Sequence, residues 1–70
     1  MEQGTKVTLN INSSIGDLIF KEDPNDKYNP HNIEGEVVQI GNSKIPSNPV
    51  IVLWSNGFKN SYQYNNLLEL

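Results

Sequence analysis

The chain of 70 residues has room for one small domain and no cysteine, which excludes disulfides and thiolate metal sites. Eight acidic residues outnumber five basic ones, all of them lysine, so the forked donors that read guanine are missing and duplex DNA is not an expected partner. No apolar run approaches the roughly 20 residues that span a bilayer, and the N-terminus lacks the apolar core of a signal peptide, so we expect a soluble, cytoplasmic protein without a membrane partner.

The first predicted element is a strand over residues 6–11. Polar and apolar side chains alternate there, which places Val7, Leu9 and Ile11 on one face. Residues 15–20 follow as a short apolar piece that fits either a strand or a single helical turn, and the sequence leaves both open.

A long loop separates this region from the next strand. Residues 21–32 are rich in proline and asparagine, which predicts a loop, and a loop of this length in so small a domain is usually functional or mobile. Residues 33–40 then predict a strand in which Gly35 marks a bulge or a sharp bend.

Three further strands are predicted in the second half of the chain, over residues 50–54, 58–64 and 67–70. No segment has a sustained helical period. Short strands at this spacing in one 70-residue domain indicate an all-β fold, a small barrel of four or five strands whose closure removes exposed sheet edges.

Two turn geometries are open for the hairpin between the third and fourth predicted strands. A two-residue turn at Asn56-Gly57 would divide the apolar side chains between both faces. A type I turn followed by Gly57 in the left-handed bulge position gathers them on one face. We prefer this second register because it buries the large aromatic side chains together, each worth roughly 1.5 to 3 kcal/mol. Its core face carries Val50, Val52, Trp54, Phe58, Tyr62 and Tyr64.

This register leaves Ile51 and Leu53 on the outside of the barrel, where alternation calls for polar side chains. Either the loop at 21–32 or the piece at 15–20 covers them, or they meet another chain. We prefer the second interpretation because a domain of this size gains stability from association, and we predict a homo-oligomer interface at these two residues.

The stretches YNPHNIEGEVVQI and VIVLWSNGFKNSYQYNNLLEL resemble the SH3-like modules of the Mind-bomb type, and the short phage-encoded proteins that carry the same pattern over nearly their whole length. The shared pattern is Gly-x-Val, then Val-x-Val-x-Trp-Asp/Ser-Asn-Gly, then Asn-x-Tyr-Arg, then Asp/Asn-Leu-Glu, over about 40 residues of this chain. The matching positions are Asn29, Pro30, Gly35, Val37, Val52, Trp54, Asn56, Gly57, Asn60, Tyr62, Leu68 and Glu69.

The resemblance implies an SH3-like or Tudor-like barrel with a non-enzymatic binding role, and a binding surface near the loop and the hairpin. Three positions depart from the pattern. Gln63 stands where the family usually has arginine, and Ile51 and Leu53 stand where it commonly has charged residues. The ligand of the cellular members is a protein segment, and the resemblance to the phage members implies no particular ligand.

The residues offer little for catalysis or metal binding. His31 is the single histidine, and no serine is spaced to favour a nucleophile and base pair with it, so we expect no enzymatic activity and no cofactor. The carboxylates and amides between Asp23 and Glu34 match a calcium loop in part, but Lys27 and Tyr28 occupy positions that a calcium loop cannot use. No metal site is predicted.

Aromatic recognition is the function that the composition of the loop and hairpin favours. Tyr28 can stack on a planar ligand together with His31, while Lys27 and Lys59 supply positive charge. A tyrosine packed on the prolines of its own loop is an equally good interpretation. The predicted ligand-binding residues are Tyr28, Asn29, His31, Phe58, Lys59 and Asn60.

The sequence therefore predicts a non-enzymatic binding module. If it is phage-encoded, we expect it to act in the host cytoplasm by sequestering a small defence signal such as a cyclic nucleotide, in a pocket between subunits. The alternative is a protein- or peptide-binding module that blocks or recruits a host protein.

Overall fold

The computed structural model describes residues 1–12 and 25–70. These residues form five strands and one short 3-10 turn, which precedes the last strand. The apolar piece at 15–20 and the first part of the predicted loop lie outside the described residues. The elements in chain order are β1 (Lys6–Leu9), β2 (Gly35–Ile40), β3 (Val50–Trp54), β4 (Lys59–Tyr62), the 3-10 turn Tyr64–Asn66 and β5 (Leu67–Glu69).

All five strands belong to one antiparallel sheet in the order β4-β3-β2-β1-β5. The strands at its two ends, β4 and β5, both contribute side chains to the same core cluster, which requires the sheet to curl. The predicted all-β class and small barrel are thereby confirmed. No helix in the described parts of the chain is long and apolar enough to cross a membrane.

The core consists of side chains that alternate along the strands. In β1, Val7 and Leu9 are buried as predicted, but the strand ends at Leu9, and Ile11 lies beyond it, partly buried against the core. The buried apolar set is Val7, Leu9, Val37, Val50, Val52, Trp54, Tyr62 and Leu67.

The hairpin between β3 and β4 has the second of the two predicted registers, in which Trp54 and Tyr62 are buried. Val50 lies opposite Tyr62, and Val52 opposite Asn60. Gly57 has a φ of 92°, in the left-handed region that favours glycine. Its N–H donates to the Trp54 carbonyl at 2.9 Å, which closes the turn. The three-residue turn with a glycine bulge is confirmed.

Phe58 and Tyr64 do not join the core, so that part of the prediction is wrong: Phe58 is half-buried outside the core cluster. β4 ends at Tyr62, and Tyr64 begins the 3-10 turn with its side chain 49% exposed. Asn66 is buried instead, and its Oδ1 accepts a hydrogen bond from the N–H of Gln63 at 3.0 Å. This contact lies in the 3-10 turn that follows β4. The chain therefore leaves the strand after Tyr62, and Tyr64, the next aromatic residue in the alternation, is not buried.

Gly35 has a different role from the predicted bulge. The register shift in β2 lies between Val37 and Gln39, while Gly35 pairs regularly with Trp54. A Cβ atom on Gly35 would lie 2.6 Å from Cε3 of Trp54 and 2.5 Å from Cγ1 of Val52. Glycine is therefore required here because the indole ring lies against the backbone.

Ile51 and Leu53 point away from the core, as the register predicts. Ile51 is half-buried and Leu53 is 36% exposed. Their cross-strand neighbours on β4 are Ser61 and Lys59, which are polar. We call this side of β2, β3 and β4 the outer face.

Candidate ligand-binding surface

Residues 26–30 are attached to the β3–β4 hairpin by side-chain amides. Nδ2 of Asn56, in the turn, donates to the carbonyl of Lys27 at 3.0 Å. Nδ2 of Asn60, on β4, donates to the carbonyl of Tyr28 at 3.1 Å. These two asparagines thus hold the loop in place by satisfying its backbone carbonyls.

The hydroxyl group of Tyr62 is the centre of this attachment. It accepts a hydrogen bond from the indole N–H of Trp54 at 3.0 Å. It also lies within hydrogen-bonding distance of the Tyr28 carbonyl and, at 2.9 Å, of Oδ1 of Asn29. The hydroxyl thereby connects the barrel core to the loop backbone.

Burial of the Tyr62 side chain raises the pKa of its hydroxyl to about 12. The hydrogen bonds from Trp54 and Asn60 act in the opposite direction, but burial outweighs them. The phenol is therefore protonated at neutral pH and keeps a hydrogen to donate to the loop.

The carboxylate of Asp26 stabilises the turn of the loop through hydrogen bonds to nearby residues. Its carboxylate accepts a hydrogen bond from the N–H of Tyr28 at 2.9 Å and a longer one, 3.4 Å, from the side-chain amide of Asn29. Such Asx contacts fix a turn locally. Pro30, at the end of this turn, is buried.

Tyr28, which is exposed, and Phe58, which is half-buried, form the aromatic part of the surface. Their ring centroids are 5.0 Å apart at an interplanar angle of 78°, an edge-to-face contact. Nζ of Lys27 lies 5.7 Å from the centroid of Phe58. The Tyr28 residue is 52% exposed, so much of its ring is open to a ligand.

The structure brings together four of the six predicted ligand-binding residues, namely Tyr28, Asn29, Phe58 and Asn60. The amides of Asn29 and Asn60 make hydrogen bonds inside the chain, which makes them positioning residues for Tyr28.

The other two predicted residues are placed differently. Lys59 lies on the outer face opposite Leu53. Nε2 of His31 is buried and has no hydrogen-bond partner among the described residues.

Sequence reasoning missed Tyr62 and Asp26 as parts of this surface. Tyr62 was assigned to the core, where its ring does lie, and its hydroxyl contacts a loop more than 30 positions earlier in the chain. Asp26 lies in the predicted loop over residues 21–32, and no role is predicted for it from the sequence. The signal that could have identified it is its spacing of two and three residues before Tyr28 and Asn29, which is typical of an Asx turn.

Grooves border the outer face on the described part of the chain. One, of about 370 Å³, is lined by Leu53 with Glu34 and Glu36. Another, of about 670 Å³, is lined by Ile51 with Lys44 and Lys59. Neither groove includes Tyr28 or Phe58. Tyr28 is more than half exposed and Phe58 is half-buried beside it, and we call the surface formed by these two residues the ledge.

No protein-family model matches the chain, and no curated protein is significantly similar to it. Its fold is similar to that of the NMR structure of Bacillus subtilis protein YorP, with a TM-score of 0.66 and 16% sequence identity over 100% of this chain and 69% of that one. Identity this low supports a shared fold alone.

Proposed function

We propose that this chain is a non-enzymatic binding module that captures a small planar ligand, such as a cyclic nucleotide, on the ledge formed by Tyr28 and Phe58. The observation that carries the proposal is the exposure of Tyr28, 52%, in a loop whose backbone is hydrogen-bonded to the hairpin. An aromatic ring held in place at the surface is typical of a stacking platform.

The attachment of the loop supports binding because it orders the site in advance. Ordering a side chain on binding costs about 0.5 to 1.5 kcal/mol, and a site held in place beforehand avoids part of that cost. Here the carbonyls of Lys27 and Tyr28 are both bonded to hairpin amides, so the ring position is set by the barrel.

Charge close to the ledge supports an anionic ligand. Lys27 carries its ammonium 5.7 Å from the centroid of the Phe58 ring. A nucleobase stacked on Tyr28 would leave its phosphate within reach of a lysine. If the protein is phage-encoded, such capture would remove a defence signal from the host cytoplasm.

Peptide binding is the second candidate, and the openness of the ledge favours it. Small-molecule sites usually bury 70–90% of their ligand in a cleft, whereas neither groove includes the aromatic pair. An extended segment of a host protein can lie across exposed aromatic rings without such a cleft. A small ligand is bound best by a surface that encloses it, whereas a peptide is bound best by an open one.

A thermal-shift panel of cyclic di- and trinucleotides tests the first candidate. A nucleotide at about 100 times its Kd stabilises the native state by roughly 2.7 kcal/mol, which is a clear rise in melting temperature. Tyr28→Ala should abolish that rise. Tyr64→Ala is the matched control because Tyr64 is 49% exposed and lies outside the ledge.

The same two variants test the second candidate against a displayed peptide library. Selection of peptides that bind the parent and Tyr64→Ala but not Tyr28→Ala would assign the ledge to a protein partner. A rise in melting temperature with nucleotide that survives in Tyr28→Ala would show that the nucleotide binds elsewhere. Absence of both nucleotide and peptide binding by the parent would refute the proposed function.

A further inference from the structure

The outer face carries charge in a fixed order across the sheet. Leu53 on β3 lies between Lys59 on β4 and Glu36 on β2, and all three point to the same side because they are cross-strand partners. From β4 to β2, the side chains at this level of the sheet are therefore a cation, an apolar side chain and a carboxylate.

The two grooves beside Leu53 and Ile51 differ in charge. The groove beside Leu53 contains Glu34 and Glu36 and one lysine, Lys6, whose ammonium is hydrogen-bonded to Glu36. The groove beside Ile51 contains two lysines and no carboxylate. At the level of Leu53 the outer face is thus negative toward β2 and positive toward β4. At Ile51 the two lysines are Lys59 on β4 and Lys44 in the connection between β2 and β3.

We propose that a second copy of this chain covers the outer face, with a twofold axis that runs parallel to β3 through the interface. Rotation about such an axis places the β4 side of one copy against the β2 side of the other. Lys59 then faces the partner's Glu36, and the reciprocal pair forms on the other side of the axis. A self-complementary surface of this kind is what a twofold dimer requires.

The apolar side chains on the axis fit the same arrangement. Leu53 would meet the partner's Leu53, and Ile51 the partner's Ile51, between two sheets that pack about 10 Å apart with their strands within about 30° of each other. Burial there would remove from water the outward-facing aliphatic side chains of β3. A small domain that buries little surface by itself gains most from such a contact.

The first test is the mass of the protein in solution. Light scattering on the parent should give a dimer, and Leu53→Asp should give a monomer because two carboxylates would face each other at the axis. Leu68→Asp is the matched control, since Leu68 is an exposed leucine on β5, 50% exposed, away from the outer face. Circular dichroism should show that both variants are folded.

Charge reversal is the more specific test because it probes the proposed pairs of lysine and glutamate directly. Lys59→Glu alone and Glu36→Lys alone should each raise the dimer dissociation constant about tenfold or more, because attraction becomes repulsion at two symmetric positions. The double variant should recover dimerisation. A mixture of the two single variants should form a heterodimer, in which every pair is again one lysine with one glutamate.

This inference is independent of the ledge at Tyr28, so the two can fail separately. A monomeric parent at high concentration would overturn it. So would a dimer whose dissociation constant is unchanged by both single reversals, because its interface must then lie elsewhere. A dimer that the single reversals weaken but that neither the double variant nor the mixture restores would exclude this axis.

Discussion

Gly35 and Trp54 occupy opposite positions on β2 and β3, and the indole ring lies against the glycine backbone so closely that no side chain fits between them. This contact lets the largest side chain of the core lie flat against the sheet. It also explains why a glycine, which weakens most strands, stands in the middle of this sheet.

Gly35→Ala should therefore destabilise the fold. The added Cβ would lie 2.6 Å from the Trp54 ring, and overpacking of this kind typically costs about 1 to 3 kcal/mol. For a domain of this size, a cost of about 2 kcal/mol lowers the melting temperature by roughly 10 °C. Calorimetry would measure it. Gly41→Asn is the control, since nothing lies within 4 Å of a Cβ there and asparagine tolerates its positive φ.

Tyr62→Phe should release the loop from the barrel. The variant keeps the ring in the core but leaves the indole N–H of Trp54 without its acceptor, and burying an unpaired donor costs about 1 to 3 kcal/mol. Urea unfolding gives the loss of stability, and hydrogen exchange should show faster exchange at residues 26–30. Tyr64→Phe, at an exposed ring, should leave both unchanged.

The hairpin could be predicted from the sequence because its determinants are local. The apolar run of β3, the glycine at position 57 and Tyr62 all lie between residues 50 and 62, and one register alone places Trp54 and Tyr62 on the same face. The outward placement of Ile51 and Leu53 followed from that register without any long-range information.

The attachment of the loop could not be predicted, because it depends on contacts between distant parts of the chain. The hydroxyl of Tyr62 meets a backbone carbonyl 34 positions earlier, and nothing in the sequence specifies which carbonyl. Tyr64 was misplaced for a related reason. Apolar alternation continues past Tyr62, but the buried amide of Asn66 ends the strand.

Gly57 should be replaceable by asparagine at lower cost than by alanine. With a φ of 92°, an alanine there adopts a left-handed conformation that costs about 1 to 2 kcal/mol, and asparagine pays less because its side chain tolerates this region. Urea unfolding of Gly57→Ala and Gly57→Asn would measure both. Nothing lies within 4 Å of a Cβ at this position, so steric contact does not contribute. Equal losses of stability in the two variants would therefore contradict the idea that the left-handed backbone conformation determines the loss.

The stability of the protein should fall as the pH rises from about 10 to 12. The pKa of Tyr62 is raised from 10.0 to about 12 on folding, so over this range the unfolded chain loses the phenol proton while the folded chain keeps it. Because the unfolded state then binds fewer protons, the free energy of unfolding decreases with pH, by about 2 to 3 kcal/mol in all. The contribution is fully present below pH 10.

Denaturant unfolding of the parent and Tyr62→Phe across this pH range would isolate the effect. Other groups titrate in both proteins and cancel in the difference, so the stability advantage of the parent should shrink as the pH rises. Tyrosinate absorbance should show one tyrosine of the folded parent ionising late, and that late step should be missing in the variant. Parallel stability curves for the two proteins would contradict the assignment of the raised pKa to the buried Tyr62 hydroxyl.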